Sequence, residues 1–137
     1  MKHILQFLNA HPRNRLIIVK DKSIDIPYLD VGRQLSKMLQ NQTEDRLSNH
    51  ALESLNNLLK SNVLTSKELE RYISIENLGI LMEKELKLDL KTILKNYSRG
   101  TTLIVKWPGE VVNNRIYFLT QEEGVEINLK DISHIII

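Results

Sequence analysis

The chain contains no cysteine, which excludes disulfides, thiolate metal sites and a cysteine nucleophile. Glycine is scarce at five residues, and none stands between Val19 and Pro27. A phosphate-cradling loop at that point would therefore lack the residue that most easily adopts positive φ. No apolar run approaches the roughly 20 residues of a membrane span. The opening segment is interrupted by Gln6, Asn9 and His11, so no signal-peptide core is expected, and the expected compartment is the cytoplasm, with no membrane partner. Neither charge dominates: 19 Lys and Arg face 17 Asp and Glu, a net charge of +2. That is no basic stripe of the kind that marks a duplex-binding surface. The four histidines, His3, His11, His50 and His134, show no ligand spacing, and no Gly-x-Ser-x-Gly elbow is present. The carboxylate pairs Glu122–Glu123 and Glu83/Glu85 stand in polar, solvated contexts, and the sequence does not suggest the buried environments that acid–base work needs. The sequence carries no enzyme signature, and no cofactor or metal is expected.

What the chain does have is a set of short apolar runs between helical patterns. At 137 residues it has the commonest size for one domain, here 1–137. Ile4, Leu5, Phe7 and Leu8 fit a short amphipathic helix ending near Pro12. Leu16, Ile17, Ile18 and Val19 are four consecutive apolar residues between charges, which suits a strand covered on both faces. Tyr28 to Asp30 reads as a short second strand, followed by a helix from Val31 and another from about Ser48. The second of these carries a leucine stripe over residues 47–59 that reads as core or as a partner groove. Leu69 to Glu76 reads as a strand ending in two polar groups, Glu76 and Asn77. Asp89 predicts the cap of a helix with Leu90, Ile93, Leu94 and Tyr97 on one face, stopped at Ser98–Gly100. Thr101 to Lys106 is a third buried-looking strand closed by Trp107, Pro108 and Gly109. Arg115–Leu119 and Gly124–Asn128 are spaced to pair as a hairpin, and Ile132–Ile137 is apolar apart from Ser133 and His134. Strands separated by helices predict a three-layer α/β domain with a largely parallel sheet.

Three stretches together carry a resemblance: Tyr72 to Asn77, Leu88 to Leu90, and Tyr97 to Gly109, with its Ser98-Arg99-x-x-Thr102 and Trp107-Pro108-Gly109. They are similar to the small P-loop-containing BrxF family of type 3 BREX bacteriophage-defence systems. The match is specific from Ser98 to Gly109 and covers about the second half of the chain plus Leu16–Val19. The resemblance implies a reduced P-loop NTPase core, with the phosphate-loop strand at Leu16–Val19 and a strand ending in a Mg²⁺-ordering acidic group at Ile73–Glu76. This chain departs from that pattern after Val19. Lys22 and Ser23 echo the Lys-Ser/Thr pair, but only two residues separate them from the strand, with no glycine and no space for a helix before Pro27. Lys22, Ser23 and Glu76 are thus expected to be vestiges of a nucleotide site.

The reading that follows is an accessory or adaptor component of a bacterial anti-phage defence system. It would dock on a larger partner such as an ATPase, a methyltransferase or a phosphatase-like protein. Candidate contact groups are Trp107, Pro108 and Gly109, the terminal Ile135, Ile136 and Ile137, the mixed-charge segment Glu83–Lys87, and Arg99. Trp107 reads as core at a strand end or as part of a ligand-binding sheet edge. Arg99 reads as a helix-terminal cap, as an anion contact, or, in the family's ATPase setting, as a group offered to a neighbouring subunit. The terminal isoleucines either complete the sheet or present an edge to another chain. The competing reading is a nucleotide- or DNA-binding module, with Arg13, Arg15, Lys20 and Lys22 as a basic cluster meeting phosphates.

Overall fold

The apolar run Leu16–Val19 forms β1, and all four of its residues are buried. A strand without a polar face must be covered on both sides. In the computed structural model, which describes residues 2–21, 26–118 and 124–137, it lies in the interior of a parallel sheet. The elements are α1 (Lys2–Asn9), β1, β2 (Leu29–Asp30), α2 (Val31–Leu39), α3 (Glu44–Ser61), β3 (Leu64–Ser66), β4 (Glu70–Glu76), two turns of 3₁₀ helix (Gly79–Met82 and Lys84–Leu86), α4 (Leu90–Gly100), β5 (Thr102–Lys106), β6 (Val111–Val112), β7 (Arg115–Phe118), β8 (Val125–Asn128) and β9 (His134–Ile136). The sheet order is β2-β4-β5-β1-β9, with every pair parallel, and β3 adds to β4 antiparallel. The largely parallel α/β architecture expected from the alternation of runs is present.

The two faces are covered unequally, and chain order explains why. From β2 to β4 to β5 to β9 the chain always advances in one direction across the sheet. A uniform hand of crossover then puts all of those connections on one face. That face, carrying Leu16, Ile18, Ile73, Ile75, Leu103 and Val105, packs against α2, α3 and α4 in the larger core. The single step in the opposite direction, β1 to β2, belongs on the other face. There Ile26 and Tyr28 join α1 residues Ile4 and Leu8 over Ile17, Val19 and Ile104. The nine residues from Lys20 to Tyr28 suffice for this crossing because β2 pairs only with the last two residues of β4, Ile75 and Glu76. The chain never has to return to the start of the sheet, which is what normally demands a longer crossover.

Helix α4 follows its sequence pattern closely. Asp89 caps it, accepting from the Lys91 amide at 3.1 Å and from the Thr92 hydroxyl at 2.9 Å, and Leu90, Ile93 and Leu94 are buried. Tyr97 donates to Asn56 of α3, tying the two helices together, and burial pushes the Tyr97 phenol pKa up, keeping it a donor. Helix α3 begins four residues before the expected start. Its stripe is core at Ala51, Leu55, Leu58 and Leu59, while Leu52 points out.

Three features depart from the sequence expectation. The expected hairpin forms as β7–β8, but it joins β6 in a separate three-stranded antiparallel sheet. Trp107 and Ile116, Ile127, Leu129 and Ile132 fuse that sheet to the main core. Strands β3 and β6 were not expected, since three and two residues are too few to show a period. Leu119 and the pair Glu122–Glu123 lie outside the described residues. No helix among the described residues is long and apolar enough to cross a membrane.

Leu94 is fully buried where α4 meets the sheet. Leu94→Ala is expected to cost about 2–5 kcal/mol. In urea unfolding this appears as a lower midpoint with an unchanged slope; a loss under about 1 kcal/mol would mean that α4 does not seat the core.

Candidate functional site

Open α/β sheets bind ligands beyond the carboxyl ends of their strands, where the chain order reverses. Here the reversal falls between β1 and β5, because the chain leaves β1 towards β2 and leaves β5 towards β9 on the other side. The groups at that edge are Lys20 and Asp21 after β1, Asp30 on β2, Glu76 and Asn77 at the end of β4, Lys106 and Trp107 at the end of β5, and Ile137 beyond β9.

Most of them are committed to one another. The amides of Lys20 and Asp21 both donate to the main-chain oxygen of Ile137, at 2.7 and 3.2 Å. The Ile137 amide returns a bond to the Ile18 oxygen at 2.9 Å, and the Trp107 amide donates to the Val19 oxygen at 3.0 Å. The amides that directly follow the first strand therefore face protein oxygen. Glu76 pairs with Lys106, Oε2 to Nζ 3.6 Å, and the same ammonium lies 5.6 Å from the centre of the Tyr28 ring. Asp30 caps α2: its Oδ1 accepts from the Arg33 amide at 2.9 Å and from Asn77 Nδ2 at 2.8 Å. These two bonds hold its carboxyl below the ordinary carboxylate value, the Arg33 amide contributing most.

Asn77 reaches Asp30 because it turns the chain at φ 58°, in the left-handed region. Its close approach also dictates Gly32: a Cβ there would stand 2.5 Å from Asn77 Nδ2 and 2.8 Å from the Asn77 carbonyl oxygen. The recess beside this network, between Asn77, Lys106, Trp107 and Phe118, has a volume of about 50 Å³. A nucleotide-sized ligand needs several hundred.

The expected site residues scatter over the molecule. Lys22 and Ser23 lie outside the described residues, and Glu76 stands at the carboxyl edge as expected. Trp107 is 4 % exposed, and its Nε1 donates to the Tyr117 oxygen at 3.0 Å. Its ring joins the two sheets, which corrects its place among the candidate contact groups; Pro108 beside it is exposed and Gly109 half-buried. Ile135, Ile136 and Ile137 are half-buried. They complete the sheet as β9 and the residue after it, alternating between the two cores. Glu83, Lys84, Glu85 and Lys87 are exposed on the 3₁₀ turns, anchored by buried Leu86.

The basic residues Arg13, Arg15 and Lys20 are not one cluster. Arg13 and Arg15 precede β1 and Lys20 follows it, about 16 Å apart along an extended strand. Arg15 is also no loose surface cation, since its Nε donates to Thr102 Oγ1 at 2.9 Å and an Nη to the Leu69 oxygen at 3.3 Å. Arg99, in the last turn of α4, belongs to the same opposite edge. Sequence reading passed over two residues there, buried Asn14 and exposed Arg71. Asn14 Nδ2 donates to the Lys95 oxygen at 2.8 Å and to Ser98 Oγ at 3.1 Å, fixing the approach to β1 against the end of α4. Among the described residues no three His, Asp or Glu stand together as a metal set.

Asp30→Ala removes the α2 cap and Asn77's partner, with an expected cost of about 1 kcal/mol at pH 7. Since Asp30's folded pKa lies below its unfolded value near 3.9, the carboxylate stabilises the fold above that value. The contribution is lost as pH falls through the folded pKa. The gap between wild type and variant in urea midpoints should therefore close below about pH 4; a gap independent of pH would refute the assignment. No family model, curated protein or solved structure matches this chain.

Proposed function

We propose that this chain is a non-catalytic accessory component of a bacterial anti-phage defence system, acting in the cytoplasm as an adaptor on a larger partner. The partner is an ATPase, a methyltransferase or a phosphatase-like protein. The fold is read as a reduced P-loop NTPase core that has given up its phosphate loop. The observation that carries this reading is the occupancy of the carboxyl edge. Both amides after β1 are spent on Ile137, and the acidic group at the end of β4 is paired with Lys106. A triphosphate and its magnesium would need those same groups unengaged. In support, Leu16–Val19 and Ile73–Glu76 are parallel strands ending on one edge of the sheet, as the resemblance requires of a loop strand and an acidic strand. No helix follows β1 before β2 among the described residues.

What such a chain offers a partner is surface. The outer side of β9 pairs with no strand among the described residues, which makes it the edge where a strand from another protein would add. Exposed Pro108, with half-buried Gly109 beside it, and the exposed charged residues of the 3₁₀ segment, Glu83, Lys84, Glu85 and Lys87, add contact groups at other points. The alternative, a nucleotide- or DNA-binding module built on Arg13, Arg15, Lys20 and Lys22, has less behind it, because β1 holds Arg13 and Arg15 apart from Lys20.

The test is co-purification from the native host together with an activity assay. A tagged chain is expected to recover a DNA methyltransferase or large ATPase encoded beside it, in fixed stoichiometry. The isolated chain should hydrolyse ATP and GTP no faster than buffer. Recovery of neither partner, or turnover abolished by Glu76→Gln, would sink the reading.

A further inference from the structure

At the amino-terminal edge of the sheet, opposite the edge just described, lies a recess of about 320 Å³ whose lining includes His11, Arg15, Glu70, Arg71 and Arg99. The three guanidinium groups come from three elements: Arg15 directly before β1, Arg71 on β4 and Arg99 in the last turn of α4. One carboxylate faces them. Glu70 Oε2 lies 3.9 Å from an Arg15 Nη and is 77 % exposed, whereas Arg15 is only 17 % exposed. Arg71 and Arg99 form no ion pair among the described residues. Positive charge in the recess therefore exceeds negative, around a guanidinium largely withdrawn from water. Arg15, the withdrawn cation, is matched by Glu70 and by its hydrogen bonds, so the excess charge belongs to the exposed Arg71 and Arg99 at the mouth.

The recess is also pre-formed. Nε and one Nη of Arg15 are tied to Thr102 and Leu69, leaving the other donors of the fork available. Its amide donates to the Ser98 oxygen at 2.6 Å, and its oxygen accepts from Leu103 at 2.9 Å. At that last turn the Ser98 carbonyl already accepts from the Arg15 amide. An oxyanion of more than one charge and several acceptor oxygens is what converging guanidinium forks recognise. The cations line one recess instead of tracking along a face, and among the described residues no Phe, Tyr or Trp lines it to stack a base.

We propose that this recess binds the phosphate group of a small phosphorylated molecule. The site is separate from the adaptor reading and does not depend on it.

Calorimetric titration of the full chain with sodium pyrophosphate at low salt tests it. Saturable binding is expected, weakened at least tenfold by Arg71→Ala and by Arg99→Ala, both exposed positions whose thermal melts should match wild type. Arg33→Ala, an exposed arginine on α2, should leave binding unchanged. A 5′-phosphorylated single-stranded oligonucleotide that competes, while its dephosphorylated form does not, would extend the phosphate's source to a nucleic-acid end at the same site. The proposal is overturned by absent binding, by equal loss in Arg33→Ala, by no loss in the two recess variants, or by equal competition from the dephosphorylated strand.

Discussion

The structure depends on the burial of β1 between two parallel neighbours. Leu16–Val19 hydrogen-bonds to β5 on one side and to β9 on the other, and packs into one core through Leu16 and Ile18 and a second through Ile17 and Val19. A strand with no polar face has no place at a solvated surface, so both cores must close over it. That requirement places the residues on either side of β1 at opposite edges of the sheet. Arg15 emerges at one edge, Lys20 and Asp21 at the other.

Those edges have opposite electrostatic character. At the carboxyl edge acceptors and donors match closely: Glu76 with Lys106, Asp30 with Asn77 and the Arg33 amide, Ile137 with two amides. Each of these groups would lose a partner before it could meet a ligand. At the amino edge the hydrogen bonds of Asn14, Ser98 and Thr102 serve to position a cation, and three arginines stand against one exposed glutamate. An edge already satisfied suits a scaffold, whereas an edge held rigid with charge unspent suits recognition of an anion.

The stretch from Ser98 to Gly109 takes part in both edges. Ser98 and Thr102 are fully buried and hold Asn14 and Arg15. Trp107 closes the joint between the two sheets, with its indole N–H on the Tyr117 oxygen. The polar residues of that stretch are thus structural first, and Arg99 is the one charged side chain among them that turns outward at the amino edge.

Local signals carried the elements. The four-residue run of β1, the Asp89 cap and i, i+3, i+4 spacing of α4, and the paired runs of β7 and β8 each act over a few residues, so they can be read without knowing the fold. The missing glycines after Val19 likewise belong to the sequence alone. The grouping of side chains could not be read that way. Arg15, Arg71 and Arg99 stand more than twenty residues apart in the chain yet line one recess, while Arg15 and Lys20, five apart, end at opposite edges. Spacing along a chain sets which face a residue takes within its own element. Which distant elements meet is decided by sheet order and the hand of the crossovers, because these satisfy the burial of the whole set of strands together.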